Sequence, residues 1–158
     1  MLELLENSQF SAWVRTDLWG WPMALTIHAL GTALVLGFII IICLRLLGLF
    51  EQIPYSSLGR FFPVFWAALV VQFLSGFVLW MTKATRYVAD GAFMLKFVLI
   101  IAGIVLTYYF SGTIRREAGA WEANGAVSSR AVKFVAGALL IWCTVVITGR
   151  LTGYLGSI

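Results

Sequence analysis

Charged side chains are scarce in this sequence. They make up 11% of its 158 residues, whereas hydrophobic residues make up 61%. A soluble domain is usually about one quarter charged and near one half apolar, so the composition excludes an ordinary soluble domain. The formal net charge is +4, but the basic residues stand mostly at the ends of apolar runs, as anchoring to a membrane surface requires. We therefore expect a membrane protein with no nucleic-acid partner.

Residues that usually carry chemistry are also scarce. The chain has one histidine and two cysteines, and Cys43 and Cys143 lie in apolar segments without a Cys-x-x-Cys pair, so both are expected to be small buried hydrophobic residues. No aspartate or glutamate lies within a long apolar run, which argues against a proton-coupled transporter built on carboxylates. No nucleophile–base pair, phosphate loop or paired-carboxylate site is visible, so the sequence names no reaction.

Four apolar runs are long enough to cross a bilayer, which takes about 20 residues each. They are expected to be helices, because an open strand would leave its backbone unpaired in lipid. The predicted fold is an all-α integral membrane four-helix transmembrane bundle, a single domain over residues 1–158. A polar loop is predicted over residues 117–130. The crossings themselves are predicted at about residues 22–48, 61–82, 91–114 and 131–154.

Small residues recur within these runs. The first crossing carries Ala29, Ala33 and Gly37 at a four-residue step, and the third and fourth crossings carry Gly103 and Gly137. Small side chains let helices approach closely in a bilayer. These positions therefore predict tight helix packing.

The segment before the first crossing, residues 2–15, places apolar side chains between acids and amides. This pattern predicts a short N-terminal interfacial helix. No basic segment or apolar run precedes Trp13, so no cleaved signal peptide is expected. The positive-inside rule favours termini on the outer, periplasmic side, because more basic residues lie on the loop side than on the side of the termini. The loop side holds Arg45, Arg60, Arg115, Arg116, Arg130 and Lys133, and the side of the termini holds Arg15, Lys83, Arg86 and Arg150.

Polar side chains lie unusually deep in the half of the membrane that contains the termini. At about 1.5 Å per residue, His28 lies roughly 10 Å below the surface and Lys96 roughly 9 Å, with Arg150 about one turn from the end of the fourth crossing. Unpaired polar groups are costly in lipid, and the opposite half is almost purely apolar. A binding pocket is therefore predicted in this half, which also holds Gln72, Ser75, Thr144 and Thr148.

Three ligands would suit such a pocket. A haem b would take His28 as an axial metal ligand, Lys96 and Arg150 at its propionates, and Gly31 where the flat ring approaches the backbone. No second histidine exists, so Met94 is a candidate second ligand, as are Met23 and Met81. Ligation by Lys96 and a five-coordinate iron stay open. Copper(I) held by His28 and the methionines is a weaker option, and a quinone or lipid head group would take hydrogen bonds from His28 and Lys96.

Each of these residues also has a purely structural interpretation. Lys96 and Arg150 have long stems that can carry their charges to the membrane surface. His28 has a short side chain and would instead form hydrogen bonds between helices. The methionines would pack at the membrane surface.

One motif carries a family resemblance. Trp21, His28 and Gly31, followed by Leu44-Arg45-Leu46-Leu47-Gly48, resemble a family of small bacterial four-helix inner-membrane proteins. That family is distantly similar to the CopD copper-resistance proteins and to the haem-binding HemJ-type protoporphyrinogen oxidases. In those relatives an early histidine precedes an arginine at the far end of its helix, as His28 precedes Arg45, and a lysine opens a later helix, as Lys96 does.

The resemblance covers residues 21–110. It implies a protein of the bacterial inner membrane and a haem, or less strongly copper, at His28. The HemJ-type proteins carry a further histidine where this chain has Tyr108 and Tyr109. Porphyrinogen oxidation and a haem with two histidine ligands are therefore not expected here.

The function that these observations favour is a small integral membrane subunit that binds a haem b, or a quinone, near the face of the termini. Its loops are too short to form a catalytic domain, so it is expected to work beside a larger redox membrane complex or as a homo-oligomer. Two alternatives stay open, a cofactor-free accessory subunit and a copper-handling membrane protein.

Overall fold

The computed structural model describes residues 2–155, with side chains described for residues 2–151. Within this range the chain is almost entirely helical and contains no strand. The segments are α1 (Leu2–Glu6), α2 (Gln9–Thr16), α3 (Gly20–Leu46), α4 (Tyr55–Leu58), a 3₁₀ turn (Gly59–Phe61), α5 (Phe62–Met81), α6 (Ala84–Ala89), α7 (Gly91–Asn124) and α8 (Ser129–Leu155).

Helices α3, α5, α7 and α8 are long and apolar enough to cross a membrane, α5 together with the short α4 and 3₁₀ segments before it. The predicted all-α four-helix transmembrane fold is therefore confirmed, and the protein is a multi-pass membrane protein. In an 18-residue apolar stretch of each spanning helix, only 17–33% is buried inside the protein. Most of the surface of each helix is consequently left for lipid or for another protein.

The four spanning helices form an open row in the order α5, α3, α8, α7. Helix α3 packs on both α5 and α8, and α8 packs on α7. At the loop-side end α5 also reaches α7, where the rings of Phe62 and Phe110 lie 6.3 Å apart. Towards the termini α5 and α7 are not in close contact within the described residues. The bundle is therefore closed at the loop side and split between α5 and α7 at the side of the termini.

The loop-side closure comes from large buried side chains. Phe62, Phe110 and Ile114 are fully buried there, together with Ile42 and Leu58. The middle of the bundle continues this core with Val35, Ile39, Phe65, Ala138 and Trp142. Buried polar residues are also present towards the loop side, namely Arg45, Thr107, Ser111 and Thr113, so this half is less purely apolar than expected.

Helix α7 is longer than predicted. It continues to Asn124, whereas the sequence predicted a polar loop from residue 117. Its last turns are amphipathic, because Ala118 and Trp121 are buried against α4 while Gly119, Ala120 and Glu122 are exposed. Gly125 then ends the helix in the left-handed conformation, with φ of 65°, which glycine adopts without a steric penalty.

The N-terminal segment differs in detail from the single predicted interfacial helix. It forms two helices, α1 and α2, separated at Asn7 and Ser8. The Ser8 hydroxyl accepts a hydrogen bond from the Ser11 backbone N–H, a typical N-cap that starts a new helix. Phe10 and Trp13 are about half exposed on α2, as an interfacial helix requires.

The small residues of the first crossing do not pack inside this chain. Ala29 and Ala33 are exposed, and a Cβ atom at Gly37 would meet nothing within 4 Å. The prediction of tight packing is wrong for this stripe, because it lies on the outer face of α3. It is right for Gly103, where a Cβ atom would lie 3.0 Å from the Trp142 ring.

Candidate functional site

His28 is held between α3 and α5 by both of its ring nitrogens. Nδ1 lies 3.0 Å from the Ser75 hydroxyl, and Nε2 lies 3.1 Å from the side-chain nitrogen of Gln72. The same Gln72 nitrogen donates to the Thr32 hydroxyl at 2.7 Å. The histidine therefore belongs to an interhelical network made of two residues from each helix.

The surrounding bonds assign the protons of this network. The Ser75 hydroxyl donates to the Val71 carbonyl at 2.8 Å, so its oxygen accepts the proton of His28 Nδ1. Thr32 donates to the His28 carbonyl at 2.9 Å, so its oxygen accepts from Gln72. The second Gln72 proton then points at the lone pair of His28 Nε2. In this arrangement both ring nitrogens of His28 are engaged in hydrogen bonds to α5.

Two glycines make room for the network. A Cβ atom at Gly31 would lie 2.5 Å from Gln72 Oε1, and a Cβ atom at Gly76 would lie 3.1 Å from His28 Cε1. Each glycine thus accommodates the polar side chain of the facing helix, which is a close approach that any larger residue would hinder. The sequence assigned Gly31 to the approach of a flat ligand, whereas the structure places a glutamine amide there.

The split between α5 and α7 contains a cavity of about 690 Å³. Its walls are predominantly apolar, and the polar side chains that reach it are His28, Thr32, Gln72 and Lys96. Aromatic side chains on the facing walls are Phe73, Phe77, Trp80, Phe93, Phe97 and Trp142. We call this cavity the α5–α7 cleft. Pockets that bind small molecules have this combination of size, apolar walls and few polar groups.

Lys96 is the polar residue of the cleft with unused hydrogen-bonding capacity. Its stem lies along α8, where a Cβ atom at Gly149 would be 3.1 Å from the ammonium nitrogen. Within the described part of the chain the ammonium donates no hydrogen bond and pairs with no carboxylate. An unpaired ammonium in the membrane is costly, so a ligand that accepts from Lys96 would be stabilised.

Of the remaining predicted site residues, one lines the cleft and two do not. Met94 lines the cleft and is 41% exposed. Arg150 is exposed and is not among the residues that line the cleft, so the structure does not bring it together with His28 and Lys96. Gly31 is buried behind Gln72 and does not line the cleft either.

The end of the cleft nearest the termini is covered by the turn that contains α6, from which Val88 reaches the cavity. The N-terminal helices hold this turn. The Glu6 carboxylate accepts from the backbone and hydroxyl of Thr85, at 3.1 and 2.6 Å, and Arg15 donates to the Thr82 carbonyl at 3.3 Å. The interfacial segment therefore fixes one wall of the candidate site.

Sequence reasoning placed Gln72 and Ser75 in the correct half but not in contact with His28. A pattern in the sequence could have indicated this contact. Each helix carries three polar or small residues at the positions i, i+3 and i+4, within about one turn. They are His28, Gly31 and Thr32 on one helix and Gln72, Ser75 and Gly76 on the other. Their antiparallel register could not be deduced, because the apolar residues around them allow several registers.

The arrangement can hold an amphiphile whose head accepts a hydrogen bond and whose tail is apolar. The walls suit aromatic and branched apolar groups, Lys96 supplies the donor, and the gap between α5 and α7 gives a tail a path to lipid. Within the network, His28 and Gln72 have their donors engaged with each other and with neighbouring hydroxyls. No family model, no curated protein and no solved structure matches the chain.

Proposed function

We propose that this chain is a small membrane subunit that binds an isoprenoid quinone in the α5–α7 cleft and works beside a larger redox complex. The observation that carries the proposal is an apolar cavity open between two helices, with the Lys96 ammonium, which has no partner among the described residues, at its wall. The quinone head would lie near Lys96 and His28. Its tail would leave between α5 and α7.

The chemistry of a quinone fits these walls. Its carbonyl oxygens accept hydrogen bonds, and a bond from an ammonium contributes about 1.5–3 kcal/mol. Its flat ring can pack against Phe73, Phe77, Phe93 or Phe97, which all line the cleft. The chain has no catalytic domain outside the membrane in its described part, so electrons would pass to or from a larger partner.

The haem form of the proposal fits the present arrangement less well. An axial ligand offers the lone pair of a ring nitrogen, but Nε2 of His28 already accepts from Gln72 and Nδ1 is bonded to Ser75. Ligation would require Gln72 to move, and the same holds for copper. An absorption spectrum of the purified protein tests the haem form, because a Soret band that vanishes in His28→Ala would establish it.

Quinone binding can be measured by quenching of tryptophan fluorescence, since Trp80 and Trp142 line the cleft. Decylubiquinone titrated into detergent-purified protein should quench saturably. Lys96→Met should weaken binding about tenfold or more, as loss of a charge-assisted bond implies. Arg150→Met is the matched control, because it removes one positive charge near the same membrane face but outside the cleft, and its affinity should equal that of the wild type.

Two results would overturn the quinone proposal. One is quenching by the wild type that never saturates. The other is equal affinity in Lys96→Met and the wild type.

A cofactor-free accessory subunit is the second candidate, and one observation favours it. Both nitrogens of His28 serve helix association, so the histidine needs no ligand to be satisfied. The stripe of Ala29, Ala33 and Gly37 lies unpacked on the outer face of α3. If this candidate is right, leucine substitutions in the stripe release a partner complex, while Lys96→Met leaves the assembly intact.

A further inference from the structure

A second cavity lies at the loop-side end of the molecule, where α3 ends and α4 packs on the last turns of α7. Its volume is about 520 Å³, within the range of about 300–1,000 Å³ that is usual for small-molecule sites. It shares no lining residue with the α5–α7 cleft. Its lining residues are Arg45, Gly48, Glu51, Pro54, Tyr55, Trp121, Glu122 and Gly125.

The floor of this cavity is a buried arginine. Arg45 is only 7% exposed. Its Nε donates to the Ile53 carbonyl and its Nη1 donates to the Tyr55 hydroxyl at 3.2 Å. No carboxylate of the described residues pairs with it. Its guanidinium lies over the Tyr55 ring, 3.9 Å from the ring centroid. A buried charge without a paired counter-charge is unfavourable, so an anionic group bound at Arg45 would be stabilised.

Two donors remain available at this end of the cavity. Arg45 Nη2 makes no hydrogen bond within the described residues and keeps some exposure to solvent. The Tyr55 hydroxyl accepts from Arg45, so its own proton is free to be donated. An arginine and a tyrosine side by side are suited to a phosphate oxygen.

The same cavity also holds two carboxylates. Glu122 Oε1 accepts from the backbone and hydroxyl of Ser56, at 3.4 and 3.2 Å, which leaves Oε2 without a partner in the described chain. Glu51 is exposed and also lines the cavity. A purely anionic ligand would be repelled by these two groups. A ligand with a phosphate and an ammonium would satisfy both ends.

Exposed apolar residues alternate in the sequence with the lining residues Gly48 and Glu51. Leu47, Leu49 and Phe50 are 57%, 50% and 50% exposed in the loop that directly follows the spanning helix α3. Phe50 has φ of 55°, a conformation that non-glycine residues rarely adopt. Exposed apolar residues at the end of a membrane span are suited to contact with acyl chains.

We propose that this loop-side cavity binds the phosphoethanolamine head of a membrane lipid, with the phosphate at Arg45 and Tyr55 and the ammonium at Glu51 and Glu122. The lipid is favoured over a soluble molecule because the exposed Leu47, Leu49 and Phe50 are sequence neighbours of the lining residues Gly48 and Glu51, at the end of a membrane-spanning helix. This site is separate from the α5–α7 cleft, so a negative result for lipid binding here does not bear on quinone binding in the cleft.

Native mass spectrometry of the detergent-purified full chain tests the proposal. Phosphatidylethanolamine, phosphatidylcholine and phosphatidylglycerol with identical acyl chains are compared. The first should be retained about tenfold more tightly than the others, because a trimethylated head donates no hydrogen bond and a glycerol head carries no ammonium. Equal retention of the three lipids overturns the proposal.

The double variant Glu51→Gln/Glu122→Gln should lose this preference while it stays folded, since a glutamine at 122 can still accept from Ser56. Glu117→Gln is the control, because Glu117 accepts from Ser128 outside the cavity, and the preference should persist there. A preference that survives in the double variant contradicts the assignment of the carboxylates. If soluble glycerophosphoethanolamine displaces the lipid at an equal concentration, the acyl chains contribute nothing to binding. That result would overturn the proposal that the ligand is a membrane lipid.

Discussion

The side-chain amide of Gln72 on α5 lies directly against the backbone of Gly31 on α3. A Cβ atom at residue 31 would be 2.5 Å from Gln72 Oε1 and 3.5 Å from its Cα. This approach lets one amide nitrogen reach both His28 and Thr32. It leaves Oε1 buried without a hydrogen-bond partner among the described residues. The contact is thus the point on which the polar network and the packing of α3 on α5 both depend.

Gly31→Ala should destabilise the protein by about 1–3 kcal/mol, because the added methyl displaces the amide or separates the two helices. The midpoint of thermal unfolding in detergent measures this. Gly37→Ala is the matched control on the same helix, since nothing lies within 4 Å of its Cβ position. It should be neutral or stabilising by up to about 1 kcal/mol, the helix preference of alanine over glycine. Equal midpoints for the two variants would contradict the close contact.

The bond between His28 and Gln72 predicts a measurable coupling. A double-mutant cycle of His28→Leu and Gln72→Leu should give a coupling free energy of about 0.5–1.7 kcal/mol, the range of interhelical hydrogen bonds in membranes. Unfolding equilibria in detergent micelles supply the four free energies. A second cycle of His28→Leu with Thr113→Val, at the opposite end of the bundle, should be additive. Additivity in the first cycle would show that the bond does not form.

The fold was largely predictable from the sequence, because four long apolar runs with basic ends allow few other structures. Helix ends outside the membrane were less predictable. The extension of α7 depends on burial of Ala118 and Trp121 against α4. This is a tertiary contact, and no local sequence pattern around residue 117 predicts it.

The sequence predicted one pocket for His28 and Lys96 but did not predict its geometry. His28 and Lys96 line one cavity, as their equal depth indicated. Arg150 lies at a similar level but outside the cavity, because depth along a helix says nothing about the direction in which a side chain points. Gln72 was missed as the partner of His28 for the same reason.

A buried indole is held by one hydroxyl in the wall of the α5–α7 cleft. Trp142 Nε1 donates to Thr107 Oγ1 at 3.2 Å, and Thr107 is fully buried. Thr107→Val keeps the shape but removes the acceptor, so it should cost about 1–3 kcal/mol, as expected for an unsatisfied buried donor. Thr107→Ser keeps the acceptor and should be less destabilised. Thermal unfolding and near-ultraviolet circular dichroism check this, and a serine variant as unstable as the valine variant would contradict it.

Glu6 predicts a pH-dependent attachment of α1 to the α6 turn. The Thr85 hydroxyl, and then the Thr85 backbone N–H, hold the pKa of the Glu6 carboxyl below its ordinary value of 4.5, with a smaller contribution from Arg15. A carboxyl whose pKa is lowered in the folded state stabilises that state above its unfolded pKa. This contribution is lost as the pH falls through the lowered value. Amide hydrogen exchange in residues 84–90 should therefore accelerate as the pH is lowered below about 4.5, after correction for the intrinsic rate.

The matched variants separate this contact from general acid effects. Glu6→Gln should show faster corrected exchange in residues 84–90 at neutral pH and little further change in acid, because its amide is a weaker acceptor and does not titrate. Glu3→Gln, on the exposed face of the same helix, should behave as the wild type at every pH. If the wild type and Glu6→Gln share one pH profile, the carboxylate does not hold the turn. The cover of the α5–α7 cleft must then depend on Arg15 and Ser11, which donate to the Thr82 and Met81 carbonyls.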